Sequence, residues 1–408
     1  MLSFSNQSIM SVSPVAQESN VTVNKMLDQI APQIETELAD QPEVRAQVLR
    51  TIGSAYASQG RYDSAKKYLS EALRTQIGLY GEENRETAST LTELGVLTYR
   101  QQDLEEAAPL LEKAVAFYRK QRQANAPDYS PATHALALDY LGVVKFYQVD
   151  PYAGKPLVLE AFQIAADASL QGRERMVMTF IKGELGAVLL YTGDPLRGET
   201  LIREAVAEYQ QLPGEPRWEL GVALTLLGTV AMMKNRLDEA ERFLFEGEGI
   251  IRRTLGDING YLSANLDRQA ALLFLKNDLK AAEEKARAAL TMYQAYFPQK
   301  NYAWAAKVTT LGDILIKAGR AREGEDYYRQ ALTIYEQQPT KSYFLIAYAK
   351  IRLSQFLLSQ NRPEEAEQMA LAAYNETLQH LGEQHPMSKA VADNLIQIYK
   401  KQGKSAPL

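Results

Sequence analysis

Three histidines, several adjacent acidic pairs and the absence of cysteine decide what chemistry this chain could carry. Imidazole and carboxylate groups bind divalent metals or transfer protons when they are clustered at suitable spacing. His134 stands alone, and His380 and His385 have no matching cysteine or carboxylate motif beside them. We therefore interpret these histidines as solvated or turn residues rather than as metal ligands.

The acidic pairs are interpreted as structural. They fall where second helices of a repeating unit are predicted to start, and negative charge there is favoured by the helix dipole: Glu105-Glu106, Glu283-Glu284 and Glu364-Glu365. A chain without cysteine has no disulfide, thiolate zinc site or cysteine nucleophile. It also lacks a nucleophile elbow, a Walker loop and a zincin motif. We predict that the protein is not an enzyme and has no cofactor or metal.

Composition narrows the class of partner. The chain has 408 residues, 46% hydrophobic and 23% charged, which is typical of a folded protein. Its formal charge of −5 argues against nucleic-acid binding, which needs a concentrated basic surface. No apolar run approaches the roughly 20 residues of a membrane-spanning helix. Residues 1–20 lack the basic start and dense apolar centre of a signal peptide, and we interpret them as a flexible lead-in.

A sequence repeat with a period of about 42 residues extends over almost the whole chain. Eight copies follow one another at steps of 42, 47, 44, 42, 42, 42 and 42 residues, and each is anchored on a small residue: Gly53, Gly95, Gly142, Gly186, Gly228, Ala270, Gly312 and Ser354. The residues 12 and 19 positions after each anchor are alanine or glycine in all sixteen cases. A ninth step of 42 reaches Ile396, in an incomplete last copy.

The spacing within each copy predicts two helices that touch closely. Apolar residues recur at intervals of three and four, and the two helical stretches are separated near residues that tolerate a left-handed backbone: Gly60, Gln102, Gly193, Asn235, Asn277, Gly319 and Asn361. The small residues would let helices approach within and between copies. We predict an all-α array over residues 41–403, a capping helix within 21–40 and a tail at 404–408.

The copies resemble the tetratricopeptide repeat, whose first helix carries Leu-Gly and whose second carries a signature alanine. The matching pairs are Leu94-Gly95, Leu141-Gly142, Leu185-Gly186, Leu227-Gly228 and Leu311-Gly312. Ala270, Ser354 and Ile396 depart from the glycine. The long period resembles the variant in kinesin light chains, as do the linkers LYGEENRETA and LGEQHPMSKA. The resemblance implies a right-handed superhelical solenoid of about eight helix-turn-helix repeats plus capping helices.

A second resemblance concerns residues 21–65. This segment looks like the one that opens the repeat region of large bacterial serine/threonine protein kinases, in which a kinase domain and commonly a transmembrane helix come first. The present sequence has no His-Arg-Asp and no Asp-Phe-Gly motif. The resemblance implies either a stand-alone relative in the cytoplasm or an excised array that lies outside the cytoplasm and is tethered by a preceding segment.

The tetratricopeptide resemblance also implies where a partner would bind. Groove-facing positions at fixed offsets from the anchors give these candidates: Phe146, Tyr147, Leu190, Tyr191, Met233, Leu275, Asp139 and Arg268. The residues four positions after an anchor could instead pack against the neighbouring repeat, which leaves those at five as the better groove candidates. We predict a scaffold that binds a protein, as a peptide or helix, in its concave groove. The alternative is a sensor or regulatory arm of a kinase or transcription regulator.

Overall fold

The computed structural model describes residues 27–405 except 32, 35–36, 171, 173, 213, 215–216 and 298. These residues form helices and turns and contain no strand, so the all-α prediction is confirmed for them. The predicted lead-in 1–20 lies outside the described residues, as do residues 406–408 of the predicted tail. Within the predicted capping segment, residues 27–31 are helical and Ala31 is buried against Leu49 and Tyr56.

Seventeen helices follow between residues 42 and 401. They are α1 Pro42–Ser58, α2 Tyr62–Tyr80, α3 Arg85–Arg100, α4 Leu104–Gln123, α5 Pro131–Gln148, α6 Pro151–Asp167, α7 Arg175–Tyr191, α8 Pro195–Gln211, α9 Trp218–Met233, α10 Leu237–Leu255, α11 Gly260–Leu275, α12 Leu279–Tyr296, α13 Tyr302–Lys317, α14 Ala321–Gln337, α15 Tyr343–Ser359, α16 Pro363–His380 and α17 Pro386–Lys401. Eight predicted repeats thus correspond to α1–α16, and α17 is the first helix of the incomplete ninth.

The helices belong to two compact units. The first unit extends to Lys145 and also takes up Tyr152–Ala223 and Ile250–Gly256. In it α1 packs on α2, α3 on α4 and α7 on α8, and α2 also contacts α3. Leu69 and Leu97 are among the apolar side chains buried between the first two pairs. The core of this unit therefore runs through consecutive helix pairs, as a repeat array requires.

The second unit consists of Phe146–Pro151, Leu224–Gly249 and Asp257–Leu408. Here α11 packs on α12, α13 on α14 and α15 on α16, and α17 covers the last pair. A buried cluster of this unit joins Trp304, Tyr335, Leu353 and Ile398 from α13, α14, α15 and α17. This unit is again built from consecutive pairs.

Anchor glycines lie where the two helices of a pair touch. A Cβ atom on Gly53 would lie 2.6 Å from Leu69 Cγ, and one on Gly95 would lie 2.6 Å from Leu111 Cγ. On Gly186 it would lie 2.8 Å from the backbone oxygen of Gly198. At distances this short the facing side chain or the helix itself must shift, which confirms that the small anchor residues allow the two helices to approach closely.

The turn within seven of the eight pairs also follows the sequence. Every residue predicted to end a first helix has a positive φ: Gly60, Gln102, Gly193, Asn235, Asn277, Gly319 and Asn361. Side-chain caps then start several second helices, because Asp103, Asp194 and Asp278 each accept a backbone N–H three residues later. In these three pairs, the residue with positive φ and the aspartate cap together define a three-residue connection between the first and second helix.

The histidines occupy three different environments. His134 is fully buried in the first turn of α5, where its Nδ1 lies 2.8 Å from the Tyr129 hydroxyl. Burial lowers the pKa of His134 to about 4, so its interpretation as a solvated linker residue was wrong. His380 stacks on Tyr343, and His385 caps α17 by accepting the Met387 N–H.

Two of the three acidic pairs begin second helices as predicted. Glu105-Glu106 and Glu364-Glu365 lie in the first turns of α4 and α16. Glu283-Glu284 lies one turn further into α12, so its assignment to a helix start was wrong. Glu283 instead accepts hydrogen bonds from Arg287 and Arg320. Its role is still structural, because it joins neighbouring helices.

Candidate ligand-binding surface

Exposed apolar side chains mark the ends of first helices. In the first unit, Tyr191 at the end of α7 is 47% exposed, whereas the preceding Leu190 is buried. In the second unit, Met233 on α9 and Leu275 on α11 are 58% and 49% exposed. These three residues lie five positions after their anchors. Three of the four residues that the repeat register identified as the better groove candidates are therefore exposed.

Tyr147 lies in a different environment from the other residues at this position. It belongs to the second unit, where its ring stacks on Tyr302 with centroids 4.5 Å apart. Phe146 packs edge-on against it at 5.1 Å. Both rings are half-buried. Replacing Tyr147 would therefore remove an internal stacking contact, which makes Tyr191 the better probe of ligand binding.

The charged candidate of the second unit is placed beside an acid. The guanidinium of Arg268 lies 3.6 Å from a carboxylate oxygen of Asp267, and its side chain is 39% exposed. Asp267 itself is buried. The two are successive residues of α11, so they present opposite charges at one point of the helix. Arg268 remains a candidate for contact with an acidic group.

An ion pair links successive repeats at the start of the first unit. Arg50 lies three residues before its anchor, Gly53, and Glu93 lies two residues before the next anchor, Gly95. Arg50 Nε and Glu93 Oε1 are 3.6 Å apart, and the Ser54 hydroxyl also donates to Glu93. These two repeat positions are therefore neighbours, and here they hold opposite charges.

The same two positions hold two acids between the third and fourth repeats. Asp139 lies three residues before Gly142, and Glu184 lies two residues before Gly186. We call Asp139 and Glu184 the carboxylate pair. Asp139 is fully buried, and neither of its carboxylate oxygens has a hydrogen-bond partner. Glu184 is half-buried. Within the described residues, neither member forms an ion pair.

Burial raises the pKa of both groups of the carboxylate pair, and at Asp139 the charge of Glu184 adds to the rise. Loss of solvent raises the pKa of Glu184 to about 7. The pKa of Asp139 is also raised, first by burial and then by the negative charge of Glu184. At the equivalent Glu93, burial raises the pKa while the positive charge of Arg50 opposes the rise. The carboxylate pair lacks such an opposing cation.

Aromatic and polar side chains surround the carboxylate pair in the first unit. Tyr140, next to Asp139, packs between Tyr99 and Phe180 with ring centroids 5.4 and 5.6 Å away. The pKa of Tyr209 is raised by burial and by nearby acids that include both members of the pair. Arg100 is directed elsewhere, toward Tyr140 and the ring of Trp218, 5.8 Å away. The pair thus lies in a partly desolvated setting that favours a cation.

Two kinds of site are not seen in the described residues. No group of three or more histidine, aspartate, glutamate or cysteine side chains is arranged to hold a metal ion there. Among the same residues, no helix combines the length and apolar character needed to cross a membrane.

The tetratricopeptide-repeat profile matches three segments of the chain, residues 44–120, 309–338 and 346–386. These segments cover α1–α4 and most of α13–α16, which carry the anchors and the paired helices of the repeat. These three segments consist of tetratricopeptide repeats. No curated protein sequence matches it significantly.

Solved structures are similar to this chain at low sequence identity. A Rap protein complexed with Competence and Sporulation Factor is 12% identical, with a TM-score of 0.57 over 88% of this chain and 98% of that one. A monomeric IFIT1 mutant with m7Gppp-AAAA is 16% identical, with a TM-score of 0.51 over 95% and 79%. A putative kinesin light chain repeat protein from Podosopora anserina is 18% identical, with a TM-score of 0.39 over 53% and 98%.

Sequence reasoning identified only one member of the carboxylate pair. Asp139 was selected as a groove candidate, but Glu184 was not, although Arg268, which was selected, lies at the same offset of two residues before its anchor. Comparing the ion pair of Arg50 and Glu93 across repeats would have revealed it. The available signal was a like-charge combination at the two positions where Arg50 and Glu93 pair opposite charges.

Proposed function

We propose that this chain is a non-catalytic scaffold that binds a protein partner, as a peptide or helix, along the first helices of its repeats. The observation that carries the proposal is the recurrence of exposed apolar residues at one repeat position: Tyr191 in the first unit, and Met233 and Leu275 in the second. Tyrosine and methionine adapt well to peptide side chains. Within either unit, an extended peptide or an amphipathic helix would cover these exposed side chains.

The fold and the charge are compatible with this type of partner. A Rap protein with the same fold was solved in complex with Competence and Sporulation Factor, which supports a binding role for the fold. The net charge of −5 favours a protein over a nucleic acid. The groove candidates comprise apolar and charged side chains suited to recognition, and we assign none of them a catalytic role.

A second candidate function is a sensor arm that controls an attached domain. The resemblance of residues 21–65 to the opening of kinase-linked repeat regions favours it. Ligand binding to the repeats would then regulate the activity of the attached domain. The two functions share the same surface, and the sequence encoded upstream of this chain distinguishes them, since only the sensor requires a kinase or DNA-binding domain there.

Replacing Tyr191 or Met233 by alanine should weaken binding of a degenerate nine-residue peptide library about tenfold or more, because each side chain would lose a large apolar contact. Fluorescence polarisation with the labelled library, followed by the individual peptides it selects, measures the effect. Leu196→Ala is the matched control, since Leu196 is 70% exposed on a second helix. Equal affinity for wild type, Tyr191→Ala and Met233→Ala would contradict the proposed surface.

A further inference from the structure

The carboxylate pair has no cation, whereas the equivalent pair of residues in the first two repeats includes an arginine. At the equivalent positions of the first two repeats, the side chains of Arg50 and Glu93 carry opposite charges, and Arg50 Nε lies 3.6 Å from Glu93 Oε1. Asp139 and Glu184 occupy the same positions with two carboxyl groups, and neither forms an ion pair in the described residues. Burying ionised carboxylates away from water without a neighbouring cation costs free energy of folding. A cationic group supplied by a ligand would offset that cost.

Asp139 supplies the second, independent observation. Its side chain is fully buried, yet both carboxylate oxygens lack a hydrogen-bond partner. Buried carboxylates in folded proteins are nearly always hydrogen-bonded. Asp139 is an exception, and its carboxylate faces a second one. This arrangement indicates a binding site for a hydrogen-bond donor supplied by a ligand. Glu184, which is half-buried, provides the solvent-facing side of that place.

The candidate donor is an organic cation rather than a metal ion. Calcium takes six to eight oxygen ligands, and magnesium requires near-ideal octahedral coordination. The carboxylate pair offers two carboxyl groups, and no larger group of metal-ligating side chains is present in the described residues. A guanidinium or ammonium group needs only one or two carboxylates and forms strong charge-assisted hydrogen bonds with them.

Glu184 also shares a helix face with the exposed Tyr191. Both lie on α7, seven residues apart, and residues at this spacing lie on the same side of a helix. Seven residues at about 1.5 Å rise place them roughly 10 Å apart along the axis. In an extended peptide, that distance is covered by about three residues. One ligand can therefore reach both.

We propose that Asp139 and Glu184 bind the cationic group of a lysine or arginine side chain of the peptide ligand. The inference rests on the proposed function and specifies its ligand: a basic residue, with an apolar residue about three positions away that contacts Tyr191. The incoming cation takes the place that the guanidinium of Arg50 occupies in the equivalent pair. Arginine would make two parallel hydrogen bonds, whereas lysine would act as a point charge.

The ligand preference is tested with a positional-scanning library of nine-residue peptides. Wild type should prefer arginine or lysine at one position about tenfold over neutral residues. Glu184→Gln and Asp139→Asn should abolish that preference, while Glu86→Gln, which removes an exposed acid in the same unit, should keep it. Peptide binding without a basic preference, or a preference that survives both variants, would overturn the inference.

A test that needs no peptide separates this inference from the proposed function. In the full chain at pH 8, 20 mM n-butylguanidinium should raise the melting temperature of the first unit by about 2–4 °C, whereas neutral n-butylurea at matched ionic strength should not. Glu184→Gln should remove the rise. The rise should also vanish at pH 5, where Glu184, with its pKa of about 7, is protonated.

The outcomes are distinct. A stabilisation by n-butylguanidinium that requires Glu184, together with no binding of any library peptide, would support the cation site and contradict peptide recognition. Peptide binding with no n-butylguanidinium effect in wild type would retain the proposed function and overturn the cation site. An equal stabilisation of wild type and Glu184→Gln would show general salt binding and would also overturn it.

Discussion

Replacing Gly186 by alanine should lower the free energy of unfolding of the first unit by about 2 kcal/mol. The added Cβ would lie 2.8 Å from the Gly198 backbone oxygen and 2.6 Å from Ile202 Cγ1. Neither contact is a freely moving side-chain end, so α7 and α8 must separate. Alanine's higher helix propensity offsets less than half of this cost.

Gly183→Ala is the matched control for Gly186→Ala. Gly183 lies on the same helix, one turn earlier, and a Cβ atom added there would have Ala205 Cβ as its nearest neighbour, at an ordinary 3.9 Å. Its replacement should leave stability unchanged or raise it by up to about 1 kcal/mol. Urea unfolding should be followed in a Trp304→Phe background, because Trp218 then reports on the first unit alone. Equal stabilities for the two variants would contradict the close-packing explanation.

Replacing Glu184 by glutamine should stabilise the first unit at pH 8 by about 2–3 kcal/mol. The pKa of Glu184 is raised from 4.5 to about 7, so the folded chain favours the protonated acid. Its contribution to stability is fully present below pH 4.5 and is lost as the pH rises through 7. Glutamine keeps the shape without that loss, and it also removes the charge that faces Asp139.

Glu208→Gln provides a control of opposite sign in the same unit. Glu208 accepts hydrogen bonds from Thr179 and Lys182, and these partners hold its pKa below the usual value despite burial. Its loss should destabilise the unit at pH 8. The measurement is urea unfolding between pH 4.5 and 8.5, again by Trp218 fluorescence. An unchanged pH slope in Glu184→Gln would show that Glu184 does not titrate with a raised pKa.

The repeat and its physical cause were predictable from the sequence because they are local and recur. Gly53, Gly95 and Gly186 repeat one steric requirement, and each has a leucine or isoleucine side chain across the pair. Gly60 and Asn235 repeat one backbone requirement, the positive φ that ends a first helix. A requirement that recurs in successive copies can be identified without knowing any contact in advance.

Contacts that occur once were not predictable in this way. Tyr147 stacks on Tyr302, and the Ser342 hydroxyl donates to the backbone oxygen of Val149, 193 residues earlier in the chain. Periodicity relates each repeat to its neighbours and contains no information about such pairs. His134 was misassigned for a related reason: the loop-like stretch QRQANAPDYSPAT before it gave no indication that Tyr118 and Tyr129 pack against its ring.

The most direct test of peptide binding along the first helices is to locate the ligand on the repeat. A photoreactive benzoylphenylalanine placed at Tyr191, and in a second protein at Leu196, would be irradiated with the degenerate nine-residue peptide library, and the cross-linked product analysed by mass spectrometry. We predict cross-links from position 191, on the first helix of the fourth repeat, and essentially none from position 196. Cross-links from position 196 alone, or from neither position, would contradict binding along the first helices.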